Sequence, residues 1–495
     1  MLSLSNTNEN STILSTPVVL LTLVFITLIR IYTLFVSPIE LSVDEAQYWH
    51  WSQNLDFGYF TKPPFIAWII ALSTNLFGNE EWAVRLFSPI IHFSIAIILW
   101  ITTQFAFGLK AGRIAALLWI FIPAASLGSF IISTDTPLLL FWSLALLFIF
   151  KTFRDNSYIS ASFAGASLGL AFLSKYAALY FFILLILWWL IYDKGKALTL
   201  KKLLVVLITS IMIAAPNLYW NYSNDFVTAS HTISNANLSK IIINYANVID
   251  FLSSQLLVFG PIIFLLYLFI IFNSFFKNQN LSLLGMLSLP IIALITVQSF
   301  LKIANPNWAV TAYISATLII SAYTIIQKHK MLRLLTKFGL FINFVLSLFI
   351  LKITLTGSFY PIQLKSDPMR KNLGFEALST QIKKTFDKNQ ISKLVFINRG
   401  EITRFYYYLN KIDNKFTNKI LLKTNSKSPG NFYEQNYNYD KTNHKKDEKI
   451  MIIKRDLNFG NDFANLKETK FIQKISTNTI KNLKRTYYLF EGKIK

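Results

Sequence analysis

Two carboxylates, Asp44 and Glu45, stand side by side in the run Leu41-Ser42-Val43-Asp44-Glu45-Ala46-Gln47-Tyr48-Trp49, and a lysine follows in Thr61-Lys62-Pro63-Pro64. Adjacent carboxylates repel, so one tends to hold its proton to higher pH, which suits a group that must take a proton from a hydroxyl near neutrality. Two prolines after the lysine suit a helix start and stiffen the backbone that carries it. A base and a fixed cation in one short loop are the groups needed to work on a phosphate carried by a lipid. The plainer readings are a solvated carboxylate pair at a helix end and a lysine whose stem lies along apolar surface.

The elements around this loop belong to a membrane protein. The 495 residues are 53% hydrophobic and 16% aromatic, with 44 Phe and a mean hydropathy of +0.44. A helix needs ~20 apolar residues to cross a bilayer. Eleven stretches read as spans: 14–36, 84–107, 114–132, 137–150, 158–173, 177–192, 203–219, 251–272, 281–300, 308–326 and 332–355. Two of them, 137–150 and 158–173, are short, so the expectation is about eleven transmembrane helices, with 11–13 as the range. The apolar stretch 65–77 has only 13 residues and is expected to lie flat in the interface. The first span lacks a basic start and a small-residue cleavage site, so it reads as a retained anchor.

Lysine and arginine in the loops set the orientation. With the N-terminus inside, one side receives Lys110, Arg113, Lys151, Arg154, Lys194, Lys196, Lys201, Lys202, Lys277, Lys328, Lys330 and Arg333. The opposite side receives only Lys62, Arg85, Lys175, Lys240 and Lys302, together with Asp44, Glu45, Glu80, Glu81, Asp135 and Asp225. The chemistry-bearing loop therefore reads as facing outward.

With no cysteine, the chain forms no disulfide, thiolate metal site or cysteine nucleophile. The formal net charge of +23 reads as surface and headgroup attraction, not as a nucleic-acid signal. Residues 356–495 carry 28 Lys+Arg against 13 Asp+Glu, scattered among Asn, Ile and Tyr with no single stripe. That tail reads as a small α/β domain on the outer face, following a membrane domain at 1–355 whose first outer loop spans 37–83. A helix is expected at 373–389, a strand at 393–398, a turn at Arg399-Gly400-Glu401 and a helix at 402–409. Further strands are expected at 420–422, 450–453, 471–475 and 487–490, with 423–447 as a long polar, Asn-rich loop or partly disordered.

Other polar groups gather at outward helix ends, where ionisable residues raise a functional hypothesis. Ser133-Thr134-Asp135-Thr136-Pro137 places a lone acid between two spans, with helix capping as the structural alternative. Arg85, just before the second span, and Lys175, in Ser174-Lys175-Tyr176, are further candidate phosphate ligands. Pro216-Asn217-Leu218-Tyr219-Trp220-Asn221 leads to Asp225 and His231, and Asn305-Pro306-Asn307-Trp308 closes the set. Trp and Tyr at such ends are also ordinary interfacial belt residues.

As a set, these motifs resemble the bacterial dolichyl-phosphate-mannose-protein mannosyltransferase-like glycosyltransferases, a group that includes the aminoarabinose transferases acting on lipid A. The resemblance rests on Asp44-Glu45-Ala46-Gln47-Tyr48-Trp49, Gly58-Tyr59, Lys62-Pro63-Pro64 and Arg85. Ser133–Pro137, Leu173–Tyr176, Trp220-Asn221 with Asp225, and Asn307-Trp308 follow in the family's order. It covers most of residues 40–310, and more weakly the tail stretch 393–409.

The resemblance implies a GT-C fold in the bacterial cytoplasmic (inner) membrane. It implies an inverting enzyme that takes a sugar from a polyprenyl phosphate on the outer face and passes it to a lipid, glycan or protein acceptor. Asp44 maps onto the catalytic carboxylate and Asp135 onto the second acid, with Glu45 beside them. Lys62 maps onto the phosphate-contacting lysine, with Arg85 and Lys175 in support. Tyr59, Tyr176, Asn221, Asn307 and Trp308 map onto substrate-contacting positions.

Thr61 stands where aminoarabinose-type enzymes carry Glu, and Asn224 where many relatives carry His. Both departures weigh against a bound metal and against aminoarabinose transfer, so a divalent metal ion stays an open alternative and no other cofactor is implied. The competing class is a transporter of polyprenyl-linked glycolipid, which would place polar groups at mid-membrane and show repeated halves. Here the spans are mostly clean and the charge gathers on one face, which favours an enzyme.

Overall fold

The computed structural model describes residues 15–236, 243–274, 279–327, 329–360, 367–424, 429–457, 463, 466–479 and 484–495. Lys240, Lys277, Lys328 and the start of the first span at residue 14 lie outside them. The chain divides into two compact units.

The first unit comprises Met1–Phe35, Lys62–Phe65 and Arg85–Lys352 and is helical. Among the described residues, seven helices are long and apolar enough to cross a membrane: Thr16–Val36, Glu81–Phe107, Asp135–Asp155, Tyr176–Asp193, Leu200–Ser223, Gln279–Leu301 and Lys330–Thr356. Tyr245–Phe259 and Pro261–Phe272 make an eighth if counted as one span, bent by 106°. Gly260 supplies the bend with φ of +96°, and Asn343 Nδ2 donates to the Phe259 carbonyl freed there, at 3.1 Å. The stretch expected at 114–132 is divided by Pro123 into helices Leu109–Phe121 and Pro123–Gly128. Those expected at 158–173 and 308–326 are the shorter apolar helices Tyr158–Ser174 and Ala312–Ile326. The 65–77 stretch, whose helix belongs to the second unit, forms Phe65–Phe77.

Close approach between helices comes from small residues. A Cβ on Gly165 would lie 2.4 Å from the Val206 carbonyl, and one on Gly169 would lie 2.6 Å from Ile213 Cβ. The Tyr158–Ser174 and Leu200–Ser223 helices therefore touch along a Gly-x-x-x-Gly edge, where Ser210 Oγ donates to Gly165 O at 2.9 Å. Arg30, a charge inside the first helix, is fully engaged. It donates to the Ile120 carbonyl at 2.6 Å, Ser126 Oγ at 2.9 Å and Ser129 Oγ at 3.1 Å. The break at Pro123 leaves the preceding carbonyls in need of such a donor.

The second unit joins Val36–Thr61 and Ile66–Val84 to Ile353–Lys495. Its sheet has the strand order β2-β1-β3-β5-β4, from β1 (Lys393–Phe396), β2 (Ile420–Leu422), β3 (Lys449–Lys454), β4 (Leu466–Asn478) and β5 (Lys484–Ile494). The β1 strand runs parallel to β2 and β3, and β5 runs antiparallel to β3 and β4. Helices Phe375–Lys388 and Arg399–Ile412 bury Phe375, Leu378, Ile382 and Phe386, and Ile402, Phe405 and Leu409.

Three tail expectations are corrected. Arg399–Glu401 is the first turn of a helix and not a separate turn, because the Asn398 side chain caps it at Gly400 N, 2.8 Å. The β4 and β5 strands run well past 471–475 and 487–490. The added stretch of β4, an edge strand, carries exposed Lys467, Glu468, Thr469 and Lys470, so its apolar signal was short, and β5 runs on beside it as its partner. The polar 423–447 stretch, of which 425–428 lie outside the described residues, holds a short helix, Phe432–Asn436, and fully buried Tyr433 and Tyr439. Two of its asparagines are caps: Asn431 Oδ1 accepts from Tyr433 N and Glu434 N, and Asn438 Oδ1 from Asp440 N.

The loop after the first helix is bonded to this tail. Glu40 accepts from Phe375 N at 2.6 Å and Glu376 N at 3.0 Å, capping a helix whose own N-cap, Gly374, has no side chain. Burial is the main influence on Glu40 and outweighs the two amide bonds, so its pKa is pushed up to about 7. Lys411 Nζ lies 2.7 Å from Glu80, 2.9 Å from Glu81 and 3.1 Å from Glu376. Burial opposes its charge, but these carboxylates win and hold its pKa above the usual lysine value.

Candidate active site

In the first unit, Asp135 opens the Asp135–Asp155 helix. Thr134 precedes it without a capping side-chain bond, and Ser133 Oγ accepts from Asp135 N at 3.2 Å. The Asp135 carboxylate is therefore not used as a cap. Its Oδ1 accepts from Lys175 Nζ at 2.7 Å and its Oδ2 from Asn307 Nδ2 at 2.6 Å. Lys175 reaches it from the C-terminal end of the Tyr158–Ser174 helix, and Asn307 from the short 3-10 turn Pro306–Ala309. The Asp135 and Lys175 side chains are 13% and 20% exposed, covered enough to strengthen the pair and open enough to meet a ligand. Lysine has three N–H donors, so one bond to Asp135 leaves others for an anion.

A second polar set lies on the next turn and the Leu200–Ser223 helix. The Tyr176 hydroxyl donates to Asn217 Oδ1 at 3.0 Å and accepts from Asn221 Nδ2 at 2.9 Å. Trp308 is half-buried, and Lys62, in the 62–65 stretch of this unit, is also half-buried. Arg85 is buried, its guanidinium carbon 4.7 Å from the centre of the Phe130 ring.

In the second unit, the two adjacent carboxylates part company. Asp44 lies in the first turn of the Val43–Ser52 helix with its side chain 68% exposed, and Arg399 Nη2 is 3.6 Å from its Oδ1. The same Arg399 nitrogen donates to Gln47 Oε1 at 2.7 Å, which holds the guanidinium beside the acid. Glu45 is buried, and its Oε2 accepts from Ser42 N at 3.0 Å while Ser42 Oγ accepts from Glu45 N at 3.3 Å. That reciprocal pair is a capping box. Glu45 thus fixes the helix that presents Asp44. Tyr59 stacks on Trp51 at 4.8 Å and 8°, and its hydroxyl bonds the carbonyls of Trp51 and Asn54, so it braces the loop.

Sequence reasoning did not single out His50 or Arg399. His50 stacks on Tyr406 at 3.8 Å, and its two ring nitrogens meet the hydroxyls of Tyr433 and Tyr437. Burial lowers its pKa to about 3, so it stays neutral and pins the far end of the Asp44 helix. The only available signal for these partners was the aromatic density of Tyr406–Tyr408 and Phe432–Tyr437. For a metal ion the fit is poor. Both Asp135 oxygens are engaged, and among the described residues no three His, Asp or Glu side chains gather where they could hold one.

Residues 61–220 match the family described as dolichyl-phosphate-mannose-protein mannosyltransferase. The lipid A galacturonosyltransferase RgtD of Rhizobium johnstonii is 32% identical over 424 residues, covering 83% of this chain and 86% of that protein. Among solved structures, ArnT from Cupriavidus metallidurans bound to undecaprenyl phosphate matches with a TM-score of 0.66 and 14% identity, over 96% of this chain and 98% of its own. The oligosaccharyltransferase of Archaeoglobus fulgidus in its apo form matches with a TM-score of 0.51 and 13% identity, over 83% of this chain and 65% of its own. The fold is thus the ArnT-like GT-C fold, with a small sheet domain at the C-terminus. None of these matches supports the transporter alternative.

Proposed function

From a chain that belongs to the glycosyltransferase family of lipid A galacturonosyltransferase RgtD, we infer that the sugar moved is a hexuronic acid, that its carrier is a polyprenyl phosphate and that its acceptor is lipid A. The observation that carries this reading is the convergence of Asp135, Lys175 and Asn307 from three distant motifs of a chain 32% identical to that transferase. The Thr61 and Asn224 departures point away from aminoarabinose as the sugar.

In this reading an acceptor hydroxyl attacks the anomeric carbon from the face opposite the phosphate. Its proton passes to the Asp44 carboxylate. The C1–O bond breaks with its electrons going to the phosphate oxygen, so polyprenyl phosphate leaves and the anomeric centre inverts. Charge grows on the departing phosphate, and fixed cations lower the barrier most where charge develops. Lys62 and Lys175 take that role, with Arg85 in support. Asp135 keeps Lys175 aimed through their 2.7 Å bond, and Asn307 holds the second Asp135 oxygen. The Tyr176–Asn217–Asn221 set offers donors and acceptors to sugar hydroxyls. This chemistry faces the periplasm, in line with the lysine and arginine bias of the loops.

The test uses purified chain with polyprenyl-phosphate-linked galacturonic acid and lipid A. Mass spectrometry is expected to find lipid A heavier by one hexuronic acid residue, with release of polyprenyl phosphate. Transfer of a pentose, or labelling of protein or glycan in place of lipid A, would overturn the assignment.

A further inference from the structure

The second unit carries a cationic site that the transfer chemistry does not use. A cavity of about 510 Å³ lies among the Pro368–Asn372 turn, the Arg399–Ile412 helix and the β5 strand. Its wall presents Arg370, Lys371, Arg404, Arg455, Lys484 and Arg485, and one carboxylate, Asp367. Like charges so close repel one another, and the fold holds them in place by other means. The guanidiniums of Arg404 and Arg485 pack on the same Phe375 ring, at 4.4 and 4.2 Å from its centre. Arg485 donates to the carbonyls of Leu373 at 3.0 Å and Arg370 at 2.8 Å, and Arg404 donates to those of Gly400 and Lys371. Arg455 pairs with the buried Glu401.

The counter-charge is only partial: Glu401 acts on Arg404 and Glu40 on Arg485 through space, and neither forms an ion pair with them. Asp367 is taken up by Ser358 Oγ, Phe359 N and Met369 N. Among the described residues, no carboxylate forms an ion pair with Arg370, Lys371, Arg404, Lys484 or Arg485. Burial, joined by the charges of Arg485 and Arg455, brings Arg404 down to about 10. Guanidiniums with fixed planes match the oxygens of a phosphate two at a time, and lysines add mobile charge at the rim. The volume lies within the ~300–1,000 Å³ of small-ligand sites, more than one bare phosphate fills.

We propose that this cavity binds the phosphate of a phosphorylated sugar, with the sugar filling the rest of the recess. Taking that sugar to be part of the acceptor rests on the function proposed above; the binding itself does not.

The experiment titrates the full chain in detergent, without donor, using glucose 1-phosphate, glucose, inorganic phosphate and phosphatidylglycerol vesicles. Glucose 1-phosphate is expected to bind, more tightly than inorganic phosphate and more weakly as salt is raised, while glucose does not. Lys371→Gln with Lys484→Gln changes two exposed side chains with no structural bond and is expected to weaken this binding about ten-fold or more, with unchanged unfolding temperature. Arg404→Gln is the harsher variant, since it also strips Phe375 of its contact. Equal binding of glucose and glucose 1-phosphate, unaltered affinity in the double variant, inorganic phosphate binding as tightly as the sugar phosphate, or vesicles displacing the sugar phosphate would each overturn the proposal. Because no donor is present, loss of transfer in an Asp44 variant leaves this titration unaffected, and failure of one reading does not mask failure of the other.

Discussion

Asp44→Asn separates catalysis from folding. The side chain is 68% exposed, and its ion pair with the 39% exposed Arg399 spans 3.6 Å. Such surface pairs contribute ~0–1 kcal/mol. An acid in the first helical turn adds ~0.3–1 kcal/mol through the helix dipole. Asparagine keeps the shape, and Arg399 keeps its 2.7 Å bond to Gln47, so the folding cost is at most about 2 kcal/mol. A general base contributes ~100- to 10,000-fold to rate. At 1.36 kcal/mol per decade, that is roughly 3–5 kcal/mol of barrier, more than the folding cost. The assay follows donor consumption and product mass for purified wild type and variant at matched folded concentration, with unfolding temperature and donor binding measured on the same samples. The expected result is transfer down at least ~100-fold with donor binding and unfolding nearly unchanged. Glu45→Gln, next door, should behave in the opposite way. Glutamine can still fill the capping box, so activity per folded molecule stays near wild type and stability within about 1 kcal/mol. Near-normal turnover in Asp44→Asn, or a loss that merely tracks the unfolded fraction, would refute the base assignment.

Asp135→Asn leaves Lys175 without its charge partner. Losing a charge-assisted bond of about 2 kcal/mol should slow transfer roughly 30-fold, and Lys175→Met should add little on top; additive losses in the double variant would separate the two residues. Lys62→Ala should impair donor use far more than folding, while Lys62→Arg keeps part of the activity; full turnover in the alanine variant would move the phosphate to Arg85 and Lys175. Glu40 has a folded pKa near 7 against an ordinary value of 4.5, so its contribution is present below pH 4.5 and is lost as pH rises through 7. Intrinsic-rate-corrected hydrogen exchange at the Phe375 and Glu376 amides should therefore speed up across that window, and the slope should flatten in Glu40→Gln; an unchanged slope would assign it to another group. Cysteine at Asn54 should label from outside intact cells and cysteine at Lys196 should not; the reverse pattern would turn the whole chain over.

How much was legible depended on whether a signal was local. Helical segments, strand β2 to the residue, and the motif residues Asp135, Lys175 and Asn307 are short-range patterns, and a chain can be read for them directly. Their meeting at one carboxylate was not legible, since Asn307 lies far along the chain from Asp135 and no spacing links the two. Glu45 was legible in another way: Ser42-x-x-Glu45 is a capping pattern, but its neighbour Asp44 drew attention to charge repulsion instead. Arg399 and the aromatic seat of His50 were not legible, because the contacts join residues more than 340 positions apart. The edge strand β4 was read too short because an edge is polar on purpose, and the 423–447 stretch was read as loose because asparagine serves as a helix cap as readily as a loop residue.

Glu40, His50, Asn79, Glu80 and Glu81 all bond to residues beyond Gly374: the amides of Phe375 and Glu376, Tyr433 and Tyr437, Tyr407, and Lys411. A ribosome delivers those partners long after the loop itself. About 270 residues separate the end of the loop from the start of the tail, and at ~5–20 residues per second the loop waits tens of seconds in water before it can settle. Throughout that interval the helix that presents Asp44 has its own capping box but no seat for His50. A truncated chain would therefore insert into the bilayer with an unfinished loop. The loop that carries Asp44 therefore reaches its finished arrangement only after residues 375–437 have been made and have folded against it.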